Sequence, residues 1–258
     1  MFKYLYKIFC ILFSYIIAYF ENIFFKIKEI DNNQFESSLL RQGYEKMVFP
    51  EILVDKIDET NVIKSNKYMK RVIISKEEIK KILHKLFIDL KLFEKITNIT
   101  NFNYSIDYII YYKNISIDKE DQHLEWYANH WHKDKPMSRN SLKIMFPLKK
   151  ISDLKHGGIK ILDIKNSKNF LLLSENKKNL ASFKMISDTN ELVAFFPNLC
   201  FHRAGDIEED YEREQIMIQL NPSKNWSINS KIYQKQFKIE PKFPFFSYFF
   251  DRKERLLK

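Results

Sequence analysis

One segment of the chain repeats apolar residues at helical spacing. After Ser75, six apolar positions recur at intervals of three and four: Ile79, Ile82, Leu83, Leu86, Phe87 and Leu90. Residues at this spacing share one face of an α-helix. Ser75 and Glu78 have the order of a capping box, in which each side chain accepts a hydrogen bond from the other residue's backbone amide. The pattern predicts a helix after Ser75, preceded in residues 35–57 by a short helix, a turn at Gly43 and an extended piece.

The pattern becomes strand-like after the helix. Residues 104–117, with the sequence YSIDYIIYYKNISI, are rich in β-branched and aromatic residues, which favour strands. Six further short strands are predicted at residues 124–134, 142–147, 158–162, 170–174, 192–196 and 213–220. Short strands separated by polar turns, following a helical region, predict a mainly β domain with flanking helices, either a sandwich or a barrel.

Both ends of the chain differ from this middle part. Residues 8–20 form an uncharged apolar run, which is shorter than the roughly 20 residues that a spanning helix needs. Three interpretations stay open for an apolar N-terminal helix at 1–30: a membrane anchor, a helix lying on the membrane surface, or a helix packed on the domain. The tail at 236–258 mixes Phe and Tyr with Lys and Arg, which suits a lipid headgroup region or packing on the barrel. The domain itself is predicted to span residues 31–235.

Composition narrows the classes of protein. Hydrophobic residues make up 45% of the 258 positions, enough to bury a sizeable core and too many for a disordered chain. Only four glycines are present, and no Gly-rich phosphate loop occurs, which argues against a nucleotide-binding fold. Two cysteines, Cys10 and Cys200, form no disulfide framework, so we expect a reducing, cytoplasmic location, with attachment to the cytoplasmic face of a membrane left open.

The chain is basic, with a formal net charge of +10. Such a charge suits nucleic acid, an anionic membrane surface or anionic small molecules. The lysines are spread along the chain, and no recognition helix, zinc finger or RNA-binding motif occurs. We therefore expect no nucleic-acid partner.

A metal-ligand pattern stands in the segment HWHKD. His132 and Asp134 alternate, so on a strand both side chains point to one face. His202, in FFPNLCFHRAGD, supplies a second imidazole. Two imidazoles and one carboxylate leave other coordination positions open, which is the arrangement of non-heme Fe(II) oxygenases. Taken singly, the His132–Asp134 pair could be an exposed hydrogen-bonded pair and His202 a buried imidazole; their order along the chain favours a metal.

Two further residues extend this hypothesis. Arg213 follows His202 at the start of an apolar strand, and its planar guanidinium suits one carboxylate of 2-oxoglutarate; alone, it could instead pair with Glu209 or Glu212. His130 shares the alternate spacing, but same-face neighbours on a strand lie about 6.5–7 Å apart, too far for three successive positions to reach one ion. We place His130 at the rim, toward the substrate or in a structural role.

Four segments together resemble the phytanoyl-CoA dioxygenase-like branch of the Fe(II)/2-oxoglutarate oxygenases: HWHKD, HGGIKIL, LVAFFPNLCFHRAG and REQIMIQLNPS. The segment FESSLLRQGYEKM is similar to the opening helix and turn of that family, so the resemblance covers about residues 35–225. It implies a double-stranded β-helix, the jelly-roll barrel, with helices packed outside. It also implies Fe(II), 2-oxoglutarate and O2 as cofactors, with His132, Asp134 and His202 on the metal and Arg213 and Gln215 on the cosubstrate.

The reaction implied by this resemblance is hydroxylation of a small or lipid-linked organic substrate, coupled to decarboxylation of 2-oxoglutarate. The carboxylate of Asp134 favours hydroxylation over halogenation, because related halogenases have a small residue there. The chain departs from the family where ILDIKNSKN replaces a usual PGSH segment near the substrate. Two alternatives remain: a cupin-type metal enzyme with non-oxidative chemistry, and a non-catalytic binding barrel at a membrane.

Overall fold

The computed structural model describes residues 37–52, 57, 62–134, 140–223, 225–233 and 254–255, together with the single residues 16 and 20. The predicted N-terminal helix and C-terminal tail therefore fall almost wholly outside the described residues. Within the described part, no helix has the length and apolar character needed to cross a bilayer. The membrane proposals and the division into three regions stay predictions.

The described chain is mainly β, with a few short helices, as predicted. The helices are α1 (Ser38–Gln42), α2 (Lys76–Leu83), α3 (Leu92–Thr100), α4 (Ile164–Lys168) and α5 (Glu175–Ala181). The strands of the first half are β1 (Tyr44–Val48), β2 (Val62–Asn66), β3 (Met69–Val72), β4 (Asn103–Ile115), β5 (Leu142–Pro147) and β6 (Lys160–Ile161). Those of the second half are β7 (Phe183–Lys184), β8 (Glu191–Phe195), β9 (His202–Arg203), β10 (Glu212–Ser223), β11 (Ser227–Ile228) and β12 (Glu254–Arg255).

The strands form two sheets. The large sheet has the order β1-β8-β5-β10-β4-β11-β12, with β3 also paired to β4 and β2 paired to β3, and the small sheet has the order β7-β6-β9. A single bridge between His132 and His202 adds the segment before β5 to the small sheet. From β4 to β10 the chain passes back and forth between the two sheets, as expected for the jelly roll that the family resemblance implies.

The two faces of the large sheet have different neighbours. One face carries residues such as Ile144, Phe146, Ile216 and Ile218 and packs with α2 and α3 in the main hydrophobic core. The opposite face turns toward the small sheet, where a smaller cluster includes Met145, Val193, Phe195, Ile161 and Met185. Because side chains alternate along a strand, the same strands seal the core with one set of residues and present the other set to the space between the sheets.

The predicted helix after Ser75 is confirmed, including both hydrogen bonds of the capping box with Glu78. It continues as a π-helical turn over His84–Asp89. It then breaks at Lys91, which has a φ of 52° and precedes the separate helix α3. The apolar periodicity runs across this break because α2, the turn and α3 bury their apolar residues in the same core.

Two predicted strands are wrong. Residues 124–134 form turns and bends apart from the His132 bridge, because the Asn129 side chain binds the backbone at Trp126 and Leu124 and Ala128 has a φ of 62°. Residues 170–174 begin with a 3-10 turn at Phe170–Leu172. Leu171 there is 94% exposed, so this apolar residue does not mark a buried strand.

Gly43 ends α1 in the left-handed conformation, with a φ of 90°. A Cβ built at this position would lie 2.3 Å from Cys200 Sγ and 2.8 Å from a side-chain carbon of Ile164. The predicted turn therefore also marks a close approach between α1 and the loop before β9. Cys200 is buried and packs in the smaller cluster as a small apolar side chain.

We expect Gly43→Ala to lower the free energy of unfolding by about 2–4 kcal/mol, since it combines a left-handed residue with overpacking. Urea denaturation followed by circular dichroism measures the change. Arg41→Ala, at an exposed position of the same helix, is the matched control and should shift stability by less than about 0.5 kcal/mol. Equal stabilities of Gly43→Ala and Arg41→Ala would contradict the close contact.

Candidate metal centre

A short antiparallel contact brings the two predicted histidine ligands together. The His132 amide donates to the His202 carbonyl at 3.0 Å, and the His202 amide donates to the His132 carbonyl at 2.9 Å. Residues paired in this way place their side chains on the same side, and the two ring centroids lie 4.4 Å apart. The Asp134 amide donates to the Pro197 carbonyl at 3.0 Å, which holds Asp134 beside the same loop.

The three predicted ligands converge. One ligand atom from each of His132, Asp134 and His202 lies within 4.8 Å of the other two. Asp134 Oδ1 is 3.8 Å from His132 Nε2 and 3.6 Å from His202 Nε2. These separations are larger than hydrogen bonds, and a cation placed among the three atoms could bind all of them.

The hydrogen bonds of the imidazoles determine which nitrogen faces this gap. His132 Nδ1 lies 2.9 Å from the His130 carbonyl, and His202 Nδ1 lies 3.1 Å from the Cys200 carbonyl. A carbonyl can only accept, so each Nδ1 carries the proton and each Nε2 keeps its lone pair. Metal-binding histidines are commonly oriented by such a bond from the other ring nitrogen.

The electrostatics suit a ligand set. Burial first, and then repulsion from the nearby Lys143 cation, lower the pKa of His202 to about 3, although attraction to Asp134 opposes them. Burial alone would raise the pKa of Asp134, but attraction to Lys143 and His202 outweighs burial, so the pKa falls below its usual range. At neutral pH the site therefore offers a neutral His202 imidazole and a carboxylate, the forms that bind metals.

Lys143 is a site residue that the sequence analysis missed. Its Nζ lies 2.6 Å from Asp134 Oδ2, so it holds one carboxylate oxygen and leaves Oδ1 toward the imidazoles. Lys143 pairs in register with Phe195 on β8, whose ring meets the His202 ring edge-on at 5.0 Å. A charged residue inside the apolar strand LKIMFP is the one sequence signal that could have found it.

A cavity of about 440 Å³ opens beside the three ligands. Its floor consists of alternate residues of four strands of the large sheet: Met69 and Arg71 on β3; Tyr108, Ile110 and Tyr112 on β4; Lys143 and Met145 on β5; Arg213, Gln215, Met217 and Gln219 on β10. The period of two follows from strand geometry. The same cavity is bordered by Trp126, Tyr127 and Arg203.

Arg213 reaches this cavity but pairs with neither acidic residue suggested for it. Its Nη1 donates to the carbonyls of Gly157 and Gly205 and its Nη2 to Asn114 Oδ1. The guanidinium carbon lies 5.7 Å from the centre of the Tyr127 ring. Among the described residues, the buried Nε has no hydrogen-bond partner, so the guanidinium retains a donor beside the cavity.

Gln215 and His130 are placed differently. Gln215 lines the cavity, donates from Nε2 to the Tyr112 hydroxyl, and has a buried Oε1 without a partner in the described part of the chain. His130 is exposed, and its Nε2 lies 3.1 Å from the Leu124 carbonyl. It does not line the cavity described above, so its predicted place toward the substrate gains no support.

Comparisons with known proteins give similar folds at low identity. No family profile and no curated protein matches the chain. Similar solved structures include the α-ketoglutarate-dependent epimerase SnoN from nogalamycin biosynthesis (12% identity over 70% of this chain and 78% of that one, TM-score 0.47). Another is HygX from Streptomyces hygroscopicus with nickel, 2-oxoglutarate and hygromycin B (11%, 73% and 86%, TM-score 0.45). A third is EctD from S. alaskensis with 2-oxoglutarate and 5-hydroxyectoine (12%, 81% and 82%, TM-score 0.49).

These TM-scores all lie below 0.5, and the chemistry of the site follows from its own geometry. Membership of the phytanoyl-CoA dioxygenase-like family stays a prediction.

Three matched histidine variants test the metal centre. We expect His132→Ala and His202→Ala to weaken Ni(II) binding by more than the roughly 10–100-fold that loss of an outer-shell partner costs, because each removes a direct ligand. Isothermal titration calorimetry of the full chain measures the affinity. His130→Ala, only two residues from His132, should bind Ni(II) like the wild type. A loss in the His130 variant equal to that of His132→Ala would contradict the assigned ligand set.

Proposed function

We propose that this protein is an Fe(II)- and 2-oxoglutarate-dependent oxygenase that uses O2 to hydroxylate a small organic substrate. The observation that carries this proposal is the convergence of two imidazole nitrogens and one carboxylate oxygen within 4.8 Å beside a cavity. Two histidines and one carboxylate with open positions are the ligand set of non-heme Fe(II) oxygenases. The predicted lipid-linked substrate and membrane surface remain untested parts of this hypothesis.

The residues present fit the metal. His132 and His202 direct their lone pairs toward Asp134 Oδ1, and Lys143 occupies the other carboxylate oxygen. This arrangement favours a carboxylate that binds through one oxygen. With three protein ligands on one side, the remaining coordination positions are left for the cosubstrates.

The residues also fit 2-oxoglutarate. Arg213 brings a buried guanidinium with an unpartnered Nε to the cavity, and a carboxylate is the natural partner of such a fork. Its bond to Gly205 ties it to the loop that follows His202. Gln215 adds an amide next to Arg213 on the same face of β10, which makes these two residues our candidates for the cosubstrate.

The residues of the chain would hold the metal and the cosubstrate and would enclose the substrate. Iron, when bound with 2-oxoglutarate and O2, would supply the oxidising chemistry. Lys143 orients Asp134, and the carbonyls of His130 and Cys200 orient the imidazoles. Trp126, Tyr127 and the apolar residues Ile110, Met145 and Met217 line the cavity beside these groups. We propose hydroxylation and not halogenation because Asp134 provides a carboxylate where related halogenases have a small residue.

A cupin-type metal enzyme with non-oxidative chemistry is the second candidate. It is less well supported, because a third histidine does not join the cluster within the described residues and because an arginine borders the cavity. Tight Zn(II) binding with no effect of 2-oxoglutarate would favour it. A non-catalytic barrel would bind neither iron nor 2-oxoglutarate productively.

Turnover of the cosubstrate tests the proposed function. We expect anaerobic addition of Fe(II) and 2-oxoglutarate to produce a weak visible charge-transfer band, and admission of air to release succinate. His202→Ala should lose both signals because it removes a ligand. If the wild-type protein binds neither iron nor 2-oxoglutarate, the oxygenase proposal is wrong.

Arg213→Lys tests the cosubstrate residue separately. Lysine keeps the charge but lacks the fork, so we expect the Kd for 2-oxoglutarate to rise by roughly 10-fold or more while Ni(II) affinity is unchanged. Calorimetry in the presence of Ni(II) measures both, and a thermal melt shows whether the variant is folded. Arg41→Lys, on an exposed position, is the control. An unchanged Kd in the folded Arg213→Lys variant would remove Arg213 from the site.

A further inference from the structure

A second guanidinium lines the cavity and has no assigned task. Arg71 lies on β3 and borders the same cavity as Arg213 and the three metal-ligand candidates. Its Nε is buried without a hydrogen-bond partner, and no hydrogen bond or ion pair joins its side chain to any part of the chain that the structure describes. Burying donors of a cation without an acceptor costs free energy, so an unmatched guanidinium at a cavity wall indicates a ligand that supplies the acceptor.

Each of the other cations of the cavity has a partner in the chain or, for Arg213, a proposed ligand. Lys143 pairs with Asp134, Arg203 pairs with Asp206, and Arg213 binds two carbonyls and Asn114. Asp134 is the one carboxylate among the described residues that line the cavity, and both of its oxygens face other partners. Among the described lining residues, Arg213 and Arg71 are therefore the two cations without a carboxylate partner, and only Arg213 has a proposed ligand.

The neighbouring phenols do not neutralise Arg71. Tyr112 pairs with Arg71 across β3 and β4, and Tyr108 lines the same wall. Burial raises the pKa of Tyr112 to about 12 and also raises the pKa of Tyr108. Both side chains stay uncharged at neutral pH and can only supplement an anion bound at Arg71.

Arg71 and Arg213 are separate positions. Arg71 pairs with Tyr112 and Arg213 pairs with Asn114, from opposite sides of β4, so their strands are about 10 Å apart. A single guanidinium fork is enough to bind the far carboxylate of 2-oxoglutarate through two hydrogen bonds. Arg213, tied to the loop after His202 through Gly205, is the one proposed for that purpose, which leaves Arg71 to a different molecule.

We infer that Arg71 binds an anionic oxygen group, a carboxylate or a phosphate, of the molecule that is oxidised. The rest of that molecule has an apolar part, because apolar side chains such as Ile110, Met145 and Met217 line the cavity that Arg71 shares with the metal-ligand candidates. This inference rests on the proposed function and adds the class of substrate to it: a small organic acid or phosphate monoester with an apolar body.

The test uses matched pairs of probes that differ only in charge: octanoate with methyl octanoate, phenylbutyrate with its methyl ester, and hexyl phosphate with hexanol. Calorimetry is performed on the full chain loaded with Ni(II) and 2-oxoglutarate, and again on the metal-free chain. We expect the anion of at least one pair to bind about tenfold or more tightly than its neutral partner, the difference expected for a charged hydrogen bond. Comparison of the carboxylate probes with hexyl phosphate shows which anion the site prefers.

Variants assign this preference to a residue. Arg71→Gln should lose about tenfold or more of the affinity for the anion and none for the neutral partner, while the Kd for 2-oxoglutarate stays within about twofold. Arg71→Lys keeps the charge without the planar fork, so its affinity for the anion should lie between those of the wild type and Arg71→Gln. Arg41→Gln, an exposed arginine outside the cavity, should bind every probe like the wild type.

Three results would overturn the inference. They are the absence of any anion preference in the wild type, an Arg71→Gln variant that keeps the preference, and an Arg71→Gln variant that loses 2-oxoglutarate affinity but retains the anion. Failure of the proposed function looks different, because the wild-type chain would then bind no iron or 2-oxoglutarate while the metal-free titrations could still reveal the anion preference.

Discussion

The candidate site depends on two backbone hydrogen bonds between His132 and His202. Each residue donates to and accepts from the other, so the two form a hydrogen-bonded antiparallel pair, in which the Cα atoms lie about 5.5 Å apart. Side chains opposite each other in such a pair point the same way, and the hydrogen bond from the Asp134 amide to the Pro197 carbonyl holds Asp134 beside them. A distant pair of imidazoles and a neighbouring carboxylate therefore meet through backbone geometry, with no need for a rigid ligand loop.

The large sheet provides the second constraint. Its central strands alternate between residues that pack on α2 and α3 and residues that border the cavity. A shift of one residue in the pairing of β4 with β10 would exchange these two sets and move Arg213 from the cavity to the helical core. The apolar packing of Ile216, Ile218 and Leu220 thus stabilises the position of the polar residues between them.

Burial makes each charge in this space expensive unless it has a partner. The structure matches most of the charges locally, with Lys143 on Asp134 and Asn114 with two carbonyls on Arg213. Burial also keeps His202 neutral, which frees its Nε2 for a cation. Arg71 differs from these groups because its guanidinium has no partner among the described residues. Such a cation is tolerated only where solvent or a ligand can reach it, as at the wall of this cavity.

Much of the fold followed from local patterns. The capping box at Ser75, the apolar strand at Leu142–Pro147 and the turn at Gly43 appear where the sequence predicted them, because each depends on residues near in sequence. The predicted strands at 124–134 and 170–174 failed because apolar and aromatic residues also occur in turns. Trp126 is held by Asn129, and Leu171 is exposed; residue type does not distinguish these environments from a sheet.

By itself, the sequence determined the chemical inventory of the site: two imidazoles, a carboxylate and an arginine in an order typical of a ferrous centre. It also determined the mainly β character of the chain, since strand and helix periodicities are local. Only the tertiary structure decided that Lys143 orients Asp134, that His130 stays outside the cavity and that Arg71 lies across β4 from Arg213. These facts depend on the register between strands far apart in the chain, which is set by packing of the whole sheet; the lysine inside LKIMFP is the one local sign of any of them.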